Sequence, residues 1–447
     1  MKNQELINAD IVVIGGGTSG IFLTLYLVEK GFKVVLVEKT QRIGGALTNS
    51  LVYPTAGFHT PNFKYVYSPL VDSFLKELSE KKLTLGHIKD PLNFSSTVTP
   101  ISPTAYKILI NKLLNRENFH FFPLSIIKNI KYKNNTIRSI VFNSYNKIYN
   151  VVAKFFVDAS GILLTSNFIP MEYNFDIENI QAVSLIFKIS NVNFNSILKD
   201  VKTNPKEFYY KTDPDLMDKQ KFLSISGYYS LAKEYLNKPS LLLTRDRFLF
   251  FSYIDRDSVI VNTTRLFLKD LQKNHDIESI EKNGYKILLE QAIYIHKIMK
   301  NNIEGFKNSY ISEIADFIGI RHYRNIKGEY ILSLEDVTKG KFFDDNVSIG
   351  TWPIDIHISN SIIEKPISEN GYGIPFRSCI NNYKNLVFIG KNISADKYAF
   401  SSARIQATLM ILGENVGRVL EYCLNKKTNP ADLDYRDIKK AAHLKIK

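Results

Sequence analysis

Three features of the 447-residue chain predict an α/β fold, a Rossmann-like dinucleotide-binding part carrying an inserted, mainly antiparallel β (α+β) domain. The first is a strand, glycine turn, helix and strand in unbroken succession near the start. The second is a pair of later apolar strands that each run into a small-residue or glycine turn. The third is a middle stretch of alternating apolar segments, the period of half-buried strands.

Ile11-Val12-Val13-Ile14 is a β-branched apolar run, and it passes directly into Gly15-Gly16-Gly17-Thr18-Ser19-Gly20. The turn has the spacing G-x-G-x-x-G. Gly15 permits the tight turn, Gly17 lets the backbone approach a pyrophosphate, and Gly20 lets the following helix lie close to the strands. Thr18 and Ser19 stand in the first turn of that helix, where unpaired amides and the helix dipole favour an anion. Ile21 to Val28 continues at helical spacing to Gly31, and Lys33-Val34-Val35-Leu36-Val37-Glu38 is a second buried strand closed by an acid. Glu38 stands 38 − 15 = 23 positions after the first glycine, where a carboxylate accepts from the ribose hydroxyls of an adenosine. Lys39 follows it beside the same edge.

A few residues later comes Arg42-Ile43-Gly44-Gly45-Ala46-Leu47-Thr48, where an NAD enzyme would start another helix. The pair Gly44-Gly45, with Ala46, Leu47 and Thr48, lets the chain run beneath an extended cofactor. Here the sequence resembles FAD-dependent oxidoreductases whose first segment reads D-x-V-V-x-G-G-G, then E-K, then G-G. The resemblance implies FAD as cofactor. Two later segments fit it: Lys154 to Gly161, ending Asp158-Ala159-Ser160-Gly161, resembles the D-A-T-G return of that superfamily, and Asn385 to Gly390 is a buried strand ending in glycine.

From about Thr165 to Ile320 the pattern changes. Gln181 to Ile189, Arg247 to Tyr253 and Ser258 to Thr264 alternate as strands, and Ile277 to Met299 reads as a long helix. A sheet inserted beside a dinucleotide-binding part creates a cleft at the junction, where substrates usually sit. No second G-x-G-x-x-G marks a separate NAD domain.

The last third sharpens the resemblance. Phe317 to Tyr330, Leu334 to Val337, Trp352 to His357 and Gly373 to Ser378 are similar to G-I-R-E-x-R-R-I-x-G-E-Y, E-D-V, W-P-I-D-x-H and G-I-P-Y-R-S of one branch of the glutathione-reductase-like flavoproteins. Ser401 to Thr408 followed by Gly413 is similar to that branch's G-S-x-R-V-x-P-T and G-Q-A-A-G. The likeness runs from about Asp10 to Leu424. His322, Asn325, Lys391 and Glu414-Asn415-Val416 depart from the pattern, which leaves flavin binding intact and the substrate open.

A flavin performs the hydride transfer, so the chain must hold it and present the substrate to it. The helix predicted from Ile405 to Tyr422 aims its first turn at the flavin's pyrimidine edge, where reduction places negative charge. Arg377 and Arg404 are candidate anchors for an anionic substrate group, each balanced against a structural ion pair. His357 is the proton-transfer candidate because its natural pKa suits acid and base work, balanced against a buried structural histidine. Arg321, Arg324 and Glu329 read equally as a buried charge network, and His59 and Tyr53 as residues facing the flavin ring.

The expected organisation is 1–165 as the first segment of the FAD-binding part, 166–320 as the insert, 321–424 as its last segment, and 425–447 as a basic tail. A composition of 45% apolar and 23% charged residues excludes a disordered chain, and two cysteines exclude a disulfide framework or a four-thiolate metal site, so no metal is expected. The polar opening and the glycine-broken apolar run exclude a signal peptide or membrane span, giving a cytoplasmic expectation. The charge of +14 is spread along the chain and reads as solvation; nucleic acid is not the expected partner, and no membrane is. The expected activity is hydride transfer between FAD and a C–C, C–N or C–O bond of a small-molecule or carrier-protein-bound substrate, with a homodimer admitted. The alternatives are a flavoprotein acting on tRNA and a non-catalytic flavin-binding scaffold.

Overall fold

The computed structural model describes residues 4–175, 181–236, 243–268, 277–358 and 361–447, without the side chains of 357–364. Its centre is a five-stranded, all-parallel sheet in the order Leu386–Phe388, Phe155–Asp158, Ile11–Ile14, Val34–Val37, Phe119–Phe122. These strands read as continuous apolar runs because both faces are covered. Ile11, Val13, Val34, Leu36, Phe155, Val157 and Val387 point into a core shared with the helices Thr18–Glu29 and Gln406–Lys426. Their alternates Val12, Ile14, Val35, Val37, Phe156, Leu386 and Phe388 point the other way. On that side lies a second sheet, Gln4–Asn8, Lys147–Val152, Thr136–Ser144 and Ser125–Lys133, whose Ile127, Ile140, Phe142 and Val151 fill the gap. This covering sheet carries no motif and buries only one face, and the sequence patterns leave it unassigned.

The insert is an antiparallel sheet in the order Ser224–Gly227, Phe248–Ser252, Ser258–Val261, Phe187–Ser190, Tyr310–Ile314. Phe187, Ile189, Phe248, Phe250, Val259 and Val261 bury one face against the helix Ile277–Asn302, through Ala292, Ile295 and Met299. The expected strand 181–189 is regular only over its end. Val183 and Ser184 instead make single bridges to Leu266 and Gly319. Val183, Leu185 and Ile260 meet Leu51, Tyr53, Ala56 and Val98 in a third core that joins the insert to the parallel-sheet part.

The final segment is not a free tail. Tyr435–Ala441 is helical with Ile438 buried, and Lys445–Ile446 pairs antiparallel with Val66–Tyr67. Among the described residues, no helix is long and apolar enough to cross a membrane, and no cluster of three or more metal-ligating side chains occurs.

Candidate functional site

The carboxyl ends of three parallel strands converge on one bare backbone surface. Gly15 takes φ +104, and a Cβ there would lie 2.6 Å from the Ala159 carbonyl oxygen. Ala159 in turn donates to the Ile14 carbonyl at 2.8 Å, which seats the small-residue turn directly on the glycine turn. A Cβ on Gly20 would fall 2.1 Å from the Gly15 carbonyl oxygen, so the helix Thr18–Glu29 can start this close only without one. The second glycine pair closes the surface: Gly44 donates to the Gly16 carbonyl at 2.7 Å, and a Cβ on Gly45 would meet Gly17 Cα at 2.9 Å. Ala46, Leu47 and Thr48 form the short helix that follows, fastened by Thr48 Oγ1 donating to the Ile43 carbonyl at 2.7 Å.

Glu38 is buried at the edge of this surface. Its Oε2 accepts from Gly16 N at 2.7 Å, and its Oε1 accepts from Thr40 N and Oγ1 at 2.9 and 3.0 Å. A carboxylate has about four lone-pair positions, so with three of them used it is fixed in orientation and can still accept from a ribose hydroxyl. Lys39 points away, pairing with Glu281 of the insert at 3.0 Å across the face of Phe317.

The hub below is Asp158, wholly buried. It accepts from Ser160 N and Oγ, from Thr165 N and Oγ1, and from Asn392 Nδ2, at 2.6–3.1 Å. Those bonds lock Ser160 and Gly161 to the end of the third strand. Asn392 follows Gly390, which has φ +72 and faces the Ser19 side chain. Lys391 leans over Gly161 and donates to the Ile320 carbonyl at 2.8 Å. Burial, with help from the charge of Arg404, lowers its pKa to about 8.

The helix Gln406–Lys426 enters beside the glycine helix. Thr18 Oγ1 donates to Gln406 Oε1 at 2.9 Å and Ser19 Oγ to the Leu409 carbonyl at 2.8 Å, so the two helix N-termini lie side by side. A Cβ on Gly413 would fall 2.3 Å from the Ser19 carbonyl oxygen, which is what lets the helices approach so closely. Ile405 precedes this helix in extended conformation and no side chain caps the first turn. A cradle that side chains would fill, two adjacent uncapped helix starts and a positioned carboxylate fit an extended adenine dinucleotide carrying a second ring system. A family model described as FAD dependent oxidoreductase matches residues 10–441. The chain belongs to that family. It is a flavoprotein oxidoreductase, and its cofactor is FAD.

The curated relatives match only short stretches of the chain. The FAD-dependent oxidoreductase oblC of Cochliobolus heterostrophus is 46% identical over 43 residues, 10% of this chain and 9% of that protein. The thiamine thiazole synthase of Methanococcus vannielii is 43% identical over 42 residues, 9% of this chain and 16% of that protein. The match therefore spans less than a fifth of either relative. The myxobacterial chondrochloren halogenase CndH, described as an FAD-dependent halogenase variant, superposes with a TM-score of 0.50 at 12% identity, covering 97% of this chain and 78% of that one. That likeness concerns the fold.

The flavoprotein's substrate-side candidates separate. Arg404 caps the helix Lys397–Ala403 and leads into Ile405; its buried Nε has no hydrogen-bond partner. Burial lowers its pKa, and the charge of Asp355 opposes that shift. Arg377 is placed elsewhere: both arms of its guanidinium hold Asp345, at 3.0 and 3.1 Å, and it stacks on Tyr330. With its fork occupied it is a structural ion pair, and the carboxylate partner raises its pKa. His357 lies in the strand Ile354–Ile358, paired with Ser361–Lys365, and its side chain is outside the described residues.

Arg321, Arg324 and Glu329 do not assemble into one network. Arg321 Nη1 donates to the Ala182 carbonyl, Arg324 packs over Tyr173, Phe175 and Tyr323, and Glu329 sits near Arg377. Tyr53 is buried in the core between the two parts, donating to the Ser252 carbonyl at 3.0 Å. His59 stacks against Tyr65 and His87 in a separate aromatic group.

Sequence reasoning missed Arg245, which is 4% exposed in the insert. It stands three residues before the strand Phe248–Ser252, a position where basic residues are common, and so gives no signal of its own. The departures at 414 and 415 have structural causes. Buried Glu414 accepts from Ser68 Oγ and from the amides of Leu70 and Val71, capping the helix Pro69–Glu80, and pairs with Arg418 at 2.8 Å. Asn415 Oδ1 accepts from His443 N at 2.7 Å and so ties down the carboxyl-terminal segment.

Proposed function

We propose that this flavoprotein transfers a hydride between FAD and a C–C, C–N or C–O bond of a small or carrier-bound substrate lying where the insert meets the parallel-sheet part. The observation that carries this reading is the position of Arg404. Its guanidinium lacks a partner at Nε, and the helix that follows begins beside the glycine turn.

Bound FAD supplies the hydride chemistry; the chain's task is to hold, orient and exclude water. Gly15, Gly17, Thr18, Ser19 and Gly20 would hold the diphosphate, and Glu38 the ribose. Gly44 to Thr48, Ala159 to Gly161, Gly390 and Ile405 would enclose the remainder. The uncapped first turn from Gln406 stabilises negative charge placed against it. Arg404 orients an anionic substrate group through its planar fork. His357 is the proton-transfer residue of this reading. Leu51, Val183, Leu185 and Ile260, buried between the two parts, keep that side of the junction dry.

The test is anaerobic titration of the yellow holoprotein with candidate reductants while the flavin absorbance is followed. Bleaching by an organic substrate supports the reading and excludes a non-catalytic scaffold. A purified protein that stays colourless after incubation with FAD refutes it.

A further inference from the structure

Six stretches of chain are laced together at the junction. Thr244 Oγ1 donates to the Arg265 carbonyl at 2.8 Å, Leu266 bridges Val183, and Ser184 bridges Gly319. Arg321 reaches the Ala182 carbonyl, and Lys391 donates to the Ile320 carbonyl at 2.8 Å. On the far side the His322 ring lies 4.6 Å from that of Phe400, whose carbonyl accepts from Arg404 N at 3.1 Å. Arg245, Arg321 and Arg404 are thus brought in from the insert, the junction and the FAD-binding part to a common region.

None of the three forms an ion pair with a described carboxylate. Each guanidinium offers five N–H donors. Arg245 uses one, Nη1 to the Asn262 carbonyl at 3.2 Å, and its buried Nε has no partner. Arg321 uses one on the Ala182 carbonyl, and Arg404 uses none on a described residue. Burial holds the pKa of Arg245 down to about 9 and that of Arg321 to about 10, each further lowered by a neighbouring arginine. The acid whose charge bears on all three is Asp355. Three guanidiniums share the charge of one carboxylate, with Arg265 and Lys391 also close enough to be felt, so positive charge is in excess in a largely buried place, with most donors unused. Such an arrangement is costly alone and is relieved by an oxyanion that accepts several N–H groups at once.

We infer that Arg245, Arg321 and Arg404 form one binding site for a dianionic oxyanion group, a dicarboxylate or phosphate end of the substrate. The inference rests on the hydride-transfer reading and deepens it: the substrate is an organic acid or phosphorylated compound, held by this end so that the remainder reaches the flavin. Arg404 acts with two partners, whereas Arg377 stays outside the site.

The test is titration of the FAD-loaded protein with malonate and, separately, with inorganic phosphate, using chloride at equal ionic strength as the control. Flavin difference absorbance and thermal unfolding are both recorded. Saturable binding of one anion is expected, and the tighter of malonate and phosphate identifies the chemical source. Arg245→Gln and Arg321→Gln should each weaken that binding tenfold or more while retaining FAD, whereas Arg377→Gln should bind as wild type. If Arg245→Gln does not fold, Arg245→Lys serves: it keeps the charge, loses the fork and should still bind several-fold more weakly. Anion effects no larger than those of chloride, or wild-type affinity in both the Arg245 and Arg321 variants, would overturn the site. Protein that binds malonate yet never takes up FAD would instead sink the flavin reading alone.

Discussion

Gly413→Ala sets two effects of opposite sign against each other. In an isolated helix the change is favourable by up to about 1 kcal/mol, because alanine loses less backbone freedom on folding than glycine. Here the added Cβ would fall 2.3 Å from the Ser19 carbonyl oxygen and 3.0 Å from its carbonyl carbon. An ordinary carbon–oxygen contact is more than 3 Å, so the helices must part by roughly 1 Å, and the obstacle is backbone that cannot rotate away. Overpacking of this kind typically costs about 1–3 kcal/mol, so the net result is destabilisation by about 1–2 kcal/mol. For a chain of this size that lowers Tm by a few degrees at most. The larger consequence is local: parting these helices strains the Thr18–Gln406 and Ser19–Leu409 bonds, which set the two uncapped helix starts side by side. FAD affinity should therefore fall tenfold or more, measured by fluorescence quenching on reconstitution of apoprotein. Gly31→Ala is the matched control: Gly31 has φ +87 with nothing within 4 Å of a Cβ, so it should cost about 1 kcal/mol and leave FAD affinity unchanged. Gly413→Ala protein as stable as wild type with equal FAD affinity would refute the close-approach argument.

Three further outcomes concern polar and titratable groups. Asp158→Asn replaces the acceptor of five hydrogen bonds by a group that must donate at one end, and should cost about 2–4 kcal/mol and lower FAD occupancy, read by thermal unfolding and by the flavin-to-protein absorbance ratio. Glu414→Ala strips the cap from the helix Pro69–Glu80 and leaves Arg418 without its carboxylate, a loss of about 3–5 kcal/mol in denaturant unfolding; a loss below about 1 kcal/mol would contradict it. His87, beside His59, has its pKa lowered to about 4 by burial. Between pH 6.5 and 4 the folded state therefore binds fewer protons than the unfolded chain, and stability falls as pH falls through that window, by roughly 1 kcal/mol or less because the ring is partly exposed to solvent. His87→Gln should flatten the acid limb of a Tm-versus-pH curve, and an unchanged limb would exclude this histidine as its source.

The parallel-sheet part was legible because its residues answer to backbone geometry. Ile11 to Glu38 can be read residue by residue, since a strand buried on both faces, a turn without Cβ atoms and a helix that must lie close each demand particular residue types. The same holds for Ala159 and Gly390, whose turns touch Gly15 and Ser19. The covering sheet from Ser125 to Val152 was not legible. One face is wet, as exposed Ile126 and Tyr132 show, and the apolar residues on that face blur the alternation. The substrate side was legible only in part. Arg404 and Arg377 look alike in sequence; what separates them is Asp345, 32 positions from Arg377, which takes both arms of one guanidinium and none of the other. Arg245 was invisible because burial of a basic residue is a tertiary property.

Charge is divided between the two halves of the site in a way that can be measured. The described cations nearest the adenosine edge are already committed, Lys39 to Glu281 and Arg42 to Asp316, so the diphosphate would be met by glycine amides and helix starts. Fixed dipoles in a dry cradle are screened little by salt, and they carry no counterions to release. FAD retention should therefore change little, less than about threefold, between about 0.01 M and about 1 M sodium chloride, over which the Debye length falls from roughly 30 Å to roughly 3 Å. The oxyanion end depends instead on full charges that chloride can approach and occupy, so its affinity should fall steeply over the same range. A flavin that washes off with salt as readily as the anion does would mean that lysine or arginine side chains, and not the backbone from Gly15 to Gly20, hold the diphosphate.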